Sequence, residues 1–191
     1  MTLRSLLSGI VLLTLLFMSS LTQAEDEHPT SAARNWFSDR PLVTRNGETL
    51  AFYSDVLKDQ VVLINFMFTH CDGACPLSTQ KLQQVQQQLR ERSVESVRLV
   101  SISVDPQQDT PQRMQEFAER YGAGPDWLFL TGEKQDVDFV LGRLGQSTPK
   151  PEDHQTLYLL GNLKTGRWVK MLGFTPVEQI VAQLQELVSE S

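Results

Sequence analysis

The chain has 191 residues, 40% hydrophobic and 21% charged, with a formal net charge of −6. That length fits one ordinary domain with a short leader, and the balance of apolar and charged residues excludes a disordered chain. The acidic charge balance excludes a broad basic surface for nucleic acid, which needs clustered Lys and Arg.

Met1 to Arg4 is a short n-region, Leu6 to Met18 an apolar h-region, and Thr22-Gln23-Ala24 a cleavage site before an acidic stretch. Residues 1–24 therefore read as a signal peptide. An uncleaved membrane anchor is the alternative, because Leu6 to Leu21 approaches the span of about 20 residues a bilayer requires. Either reading places the protein outside the cytoplasm, in the periplasm, free or held at the inner membrane. Residues 25–38 are polar and read as a flexible tether, which leaves residues 39–191 for the folded domain.

Leu42-Val43-Thr44 and Leu50-Ala51-Phe52 around Asn46-Gly47 predict a hairpin with positive φ at both central turn residues. Val61 to Phe68 is a continuous apolar run, the pattern of a strand buried on both faces. Pro76 to Arg92 reads as a helix with Leu82, Val85 and Leu89 on one stripe and Pro76 in its first turn. A second interior strand follows at Val97 to Val104. Thr110 then caps a helix with Pro111 at its start, and Gly122 is placed to end it. A short strand at Trp127 to Leu130, a helix within Thr131 to Leu144, a hairpin at Gln155–Leu160 and Arg167–Leu172, and a helix at Pro176 to Val188 complete the chain. This order predicts an α/β fold, a central sheet flanked by helices with an N-terminal β-hairpin. Met67, Met171, Trp36, Trp127 and Trp168 read as packing residues, and Asp105 before Pro106 as a turn former.

Thr69-His70-Cys71-Asp72-Gly73-Ala74-Cys75-Pro76 lies between the end of a buried strand and the start of a helix, the edge at which α/β sheets bind ligands. A helix N-terminus favours negative charge and predicts lowered thiol pKa values. If both cysteines are helical, their Cα atoms stand about 6 Å apart, within reach of a disulfide and of a shared metal. A bridge that closes so short a loop stabilises little, so the pair reads as reactive or metal-binding. Thiolates select copper(I), zinc or iron–sulfur clusters. Two sulfurs are too few for a four-cysteine cluster and structural zinc wants four protein ligands, whereas copper(I) is satisfied by two thiolates and an imidazole. The chain has three histidines. His28 falls in the tether. His70 adjoins Cys71, and neighbouring residues of an extended segment point to opposite sides, which suggests a supporting role. His154, on composition alone, reads as an ordinary satisfied histidine.

Three segments in order change that weighing: Phe68-Thr69-His70-Cys71 through Cys75-Pro76, Ser103-Val104-Asp105-Pro106 with Asp109-Thr110-Pro111, and Asp153-His154 before Leu157-Tyr158-Leu159. With these, the chain from about residue 40 to 188 resembles the Sco/SenC family of copper-binding, thioredoxin-like proteins. The resemblance implies a thioredoxin-like fold with a mixed sheet, which brings the loop before Gln155 against the cysteine loop. It implies copper held by Cys71, Cys75 and His154. It also implies a metallochaperone that serves the copper-bearing subunit of cytochrome c oxidase or another copper protein, together with a thiol–disulfide partner protein. The chain departs from the family pattern at Asp72 and Gly73, where Pro and then an acidic residue are usual, and at Gln155, where Ser is usual.

An enzymatic alternative uses the same pair. In a thiol–disulfide oxidoreductase one cysteine attacks a partner disulfide, the other resolves the mixed disulfide, and His154 carries a proton. The Cys-x-x-x-Cys spacing argues against a general thioredoxin. A copper or redox sensor would share the ligands, but the sequence shows no dedicated output domain.

Overall fold

A computed structural model describes residues 29–94 and 96–190. The leader and His28 lie outside the described residues. Among the described residues no helix is long and apolar enough to cross a membrane.

The elements are α1 (Pro29–Phe37), β1 (Pro41–Thr44), β2 (Thr49–Ala51), β3 (Val61–Met67), α2 (Ala74–Glu91), β4 (Val97–Ser103), α3 (Pro111–Arg120), β5 (Leu128–Thr131), α4 (Lys134–Arg143), β6 (Leu157–Asn162), β7 (Arg167–Leu172) and α5 (Val177–Ser189). The seven strands form one sheet in the order β2-β1-β5-β4-β3-β6-β7. Strands β3, β4 and β5 are parallel neighbours, and the hairpins at both ends pair antiparallel. This is the α/β architecture that the order of elements predicts, with the mixed sheet that the resemblance implies.

All seven residues of β3 are buried. Successive strand residues point to opposite faces, so the sheet is covered on both sides at its centre. The stripe on α2 is buried through Leu82, Val85 and Leu89, and that on α5 through Ile180, Val181, Leu184 and Leu187. Thr110 caps α3 by accepting a hydrogen bond from the Arg113 N–H at 3.3 Å, with Pro111 at the first helical position. Each of these follows from local sequence chemistry alone.

Four details differ from the sequence expectation. The segment read as a tether carries helix α1, because Phe37 is only 8% exposed and packs against Phe52 and Trp168 at ring separations of 6.4 and 5.5 Å. Trp36, on the other side of that helix, is 54% exposed and lies under the Arg143 guanidinium instead of in the core. Phe52 ends no strand but opens a π-helix, Phe52–Leu57, that buries Phe52, Tyr53, Val56 and Leu57. In the first hairpin only Gly47 has positive φ, at 83°. Its N–H donates to Thr44 O and the Thr44 N–H donates to Glu48 O. This is a type I turn closed by a glycine bulge, the longer of the common hairpin solutions.

Candidate functional site

The register of the sheet assembles the site. β3 and β4 end side by side, with Met67 opposite Ser103 and the Val104 N–H donating to Met67 O at 2.9 Å. The loop after β4 therefore flanks the segment that runs from Thr69 to Cys71. β6 pairs antiparallel with β3, Asn65 opposite Tyr158, so the residues that precede β6 arrive at the same edge. Three stretches far apart in sequence thus meet there.

Helix α2 begins at Ala74, with Gly73 as its N-cap. Cys75 is helical and 2% exposed, while Cys71 sits before the helix, half-buried. The helix starts two residues earlier than the sequence reading places it, at Ala74 instead of Pro76, so it takes in Cys75 but not Cys71. Both are free thiols, and Cys71 is near enough to contribute to the raised pKa of Cys75. Within α2, Thr79 Oγ1 donates to Cys75 O at 2.8 Å, and Tyr158 OH of β6 donates to Ser78 Oγ at 3.4 Å, which ties the first turns of α2 to the sheet.

His154 follows a short 3-10 turn, Pro151–Asp153. Its Nδ1 lies 2.7 Å from Pro151 O. A carbonyl only accepts, so Nδ1 carries a proton, and in the neutral ring Nε2 is the nitrogen with the lone pair. That Nε2 faces Cys75 Sγ at 3.9 Å. The Phe68 ring stands edge-on to His154 at 5.7 Å and to His70 at 4.8 Å. His70 points the other way, with Nε2 3.6 Å from Asp105 Oδ2. It supports the loop, and its side chain makes no hydrogen bond to either cysteine among the described residues.

Burial pushes the Cys75 thiol up to about 12, and the hydrogen bond with Cys71 adds to the rise. The helix N-terminus favours thiolate, but here desolvation of the charged form is the larger effect. The sequence expectation of a lowered pKa is therefore reversed for Cys75.

Asp109 is the site residue that sequence reading missed. It is 0% exposed. Its Oδ1 accepts from the Thr69 N–H at 3.0 Å and the Thr69 hydroxyl at 2.6 Å, and its Oδ2 accepts from Ser103 Oγ at 2.6 Å. Asp109 lies in the quoted second signature, but its partner is 40 residues away, a pairing no local pattern reveals.

A family model described as SCO1/SenC matches residues 30–189. The chain belongs to the SCO1/SenC family. It is 34% identical over 130 residues to the SCO1 protein homolog of Bacillus subtilis, covering 63% of this chain and 67% of that protein. Its structure is similar to that of a SCO1/SenC family lipoprotein from Bacillus anthracis (27% identity, 78% of this chain and 92% of that one, TM-score 0.69). It is also similar to that of Bradyrhizobium japonicum ScoI, solved with copper bound (26% identity, 78% and 98%, TM-score 0.64). The fold is thioredoxin-like, as the resemblance in the sequence implies.

Among the described residues, no group of three His, Cys, Asp or Glu side chains is already gathered closely enough to enclose a metal ion. The geometry is a close pair, Cys75 and His154, with Cys71 as the neighbouring thiol whose influence raises the Cys75 pKa. Two soft sulfurs and a neutral imidazole suit copper(I) by donor chemistry.

Proposed function

We propose that this domain carries copper(I) as cargo on Cys71, Cys75 and His154 and hands it to a copper protein by ligand exchange. The observation that carries the reading is the orientation of His154. With Nδ1–H held by Pro151 O, its Nε2 lone pair is aimed at Cys75 Sγ. A second hydrogen bond that fixes tautomer and ring plane is the usual support of a metal-binding imidazole. Cys75 supplies a buried anchor, and half-buried Cys71 is the ligand a partner reaches first. Cys71 must move toward the pair as copper enters, and the irregular backbone from Thr69 to Gly73 leaves it free of helical constraint. The family membership and the copper-bound relative support the reading. By the same family logic the recipient is the copper-bearing subunit of cytochrome c oxidase, and the domain acts outside the cytoplasm at the membrane, as the lipoprotein relative suggests.

A second reading rests on the asymmetry of the two thiols. In dithiol exchange, Cys71 as thiolate attacks a partner disulfide and expels one partner thiolate. Cys75, after losing its proton, attacks Cys71 Sγ and expels the other. The partner gains two electrons and two protons, and a Cys71–Cys75 disulfide remains. The half-buried attacking thiol and the buried resolving thiol fit this order.

Competition for copper(I) against a chromophoric chelator, without oxygen, tests the copper reading. One copper per chain, weakened about tenfold or more in His154→Ala and Cys71→Ser, supports it. No competitive binding by folded, reduced wild type overturns it and leaves dithiol exchange as the function.

A further inference from the structure

We infer that Asp109 is a positioning residue of the dithiol site: through Thr69 it sets where Cys71 stands relative to Cys75. The inference deepens the reading above and rests on it for the copper readout only.

Cys75 is placed by helix α2, but Cys71 precedes the helix and needs another constraint. The turn that leads to it is closed by the Cys71 N–H to Phe68 O at 3.4 Å, near the limit at which a hydrogen bond counts. The short contacts are one residue earlier. Asp109 Oδ1 takes both donors of Thr69, the N–H at 3.0 Å and the hydroxyl at 2.6 Å. Two bonds from one residue to one oxygen fix its orientation as well as its position. They act at the point where the chain leaves β3 and turns over the start of α2.

The carboxylate is itself held. Its other oxygen accepts from Ser103 Oγ at 2.6 Å, and the Asp109 N–H donates to Asp105 O at 2.9 Å. It is fully buried, and no ion pair to it appears among the described residues. Burying such a charge is costly unless hydrogen bonds satisfy it, and two of its three side-chain bonds go to Thr69. Asp105, from the same loop, faces His70 more loosely at 3.6 Å. The loop after β4 thus grips both residues that lead into Cys71, tightly at Thr69 and weakly at His70.

The test uses Thr69→Val, which removes only the hydroxyl bond, Thr69→Ser, which restores it, and Asp109→Ala. Ser101→Ala is the control. It deletes a buried hydroxyl of β4 that donates to Asn65 at 2.6 Å and accepts from Trp127, within the sheet and outside the cysteine loop. Two readouts apply: the metal-free dithiol–disulfide equilibrium against a glutathione buffer, and copper(I) competition. Thr69→Val is expected to shift the redox equilibrium about tenfold and to weaken copper(I) about tenfold. Thr69→Ser is expected to restore both, and Ser101→Ala to leave both within about twofold at comparable loss of thermal stability. If Thr69→Val and Ser101→Ala change the redox equilibrium equally, or neither changes it, the positioning role is overturned. Should Asp109→Ala fail to fold, the Thr69 pair still decides. Should wild type not bind copper(I), the copper reading falls while the redox equilibrium still decides this one.

Discussion

His154 Nε2 faces Cys75 Sγ across 3.9 Å, from a loop that is 79 residues away in the chain. The pairing of β6 with β3 brings the two together, and the Pro151 carbonyl fixes which imidazole nitrogen is free to meet the sulfur. The site is therefore half built by the sheet and half by a single turn before β6.

The Cys75 thiol makes stability fall at alkaline pH. Its pKa is 9.0 without the fold's influence and about 12 within it, raised first by burial and then by the hydrogen bond with Cys71. The folded state holds this proton more tightly than the unfolded chain does. The contribution is therefore complete below about pH 9 and is lost as pH rises toward 12. Urea unfolding of the reduced protein between about pH 8 and 10.5 should show a steeper loss for wild type than for Cys75→Ser. Equal slopes would show that burial does not govern this thiol.

In the proposed copper site the same proton competes with the metal. Metal binding requires thiolate, so with Cys75 as a ligand, capture of copper(I) would displace its proton throughout the neutral range. Affinity should rise about tenfold or more per pH unit from about pH 6 to 9, measured by chelator competition in matched buffers. A pH-independent affinity would mean that Cys75 is not a ligand.

Gly161 makes room for Trp168. A Cβ at this position would meet the indole ring at 2.6 Å, and that ring is the one Phe37 of α1 packs against. Gly161→Ala should cost about 1–3 kcal/mol of stability, the usual range for overpacking, and loosen α1, while copper(I) affinity stays within about twofold. Urea midpoints and protease sensitivity near Phe37 measure the first two effects.

Strand β3 was legible because Val61–Met67 is apolar at every position and needs cover on both faces. α3 was legible because Thr110 and Pro111 carry its start in their own chemistry. α1 was not, since a polar segment becomes helical around one anchor, Phe37, whose partners Phe52 and Trp168 are distant in sequence. The π-helix at Phe52–Leu57 could have been suspected, because Phe52, Tyr53, Val56 and Leu57 recur at helical spacing. At the site, motif order pointed to Cys71, Cys75 and His154. The grip of Asp109 on Thr69 and the upward shift at Cys75 depend on burial, which local sequence does not display.

The most direct test of the account is the coordination shell of copper itself. X-ray absorption at the copper edge, on the reduced domain loaded with one copper(I), should show two sulfur neighbours and one nitrogen. His154→Ala should lose the nitrogen. A shell of sulfur alone in wild type, or the same shell in both proteins, would contradict the assignment of His154 as the third ligand.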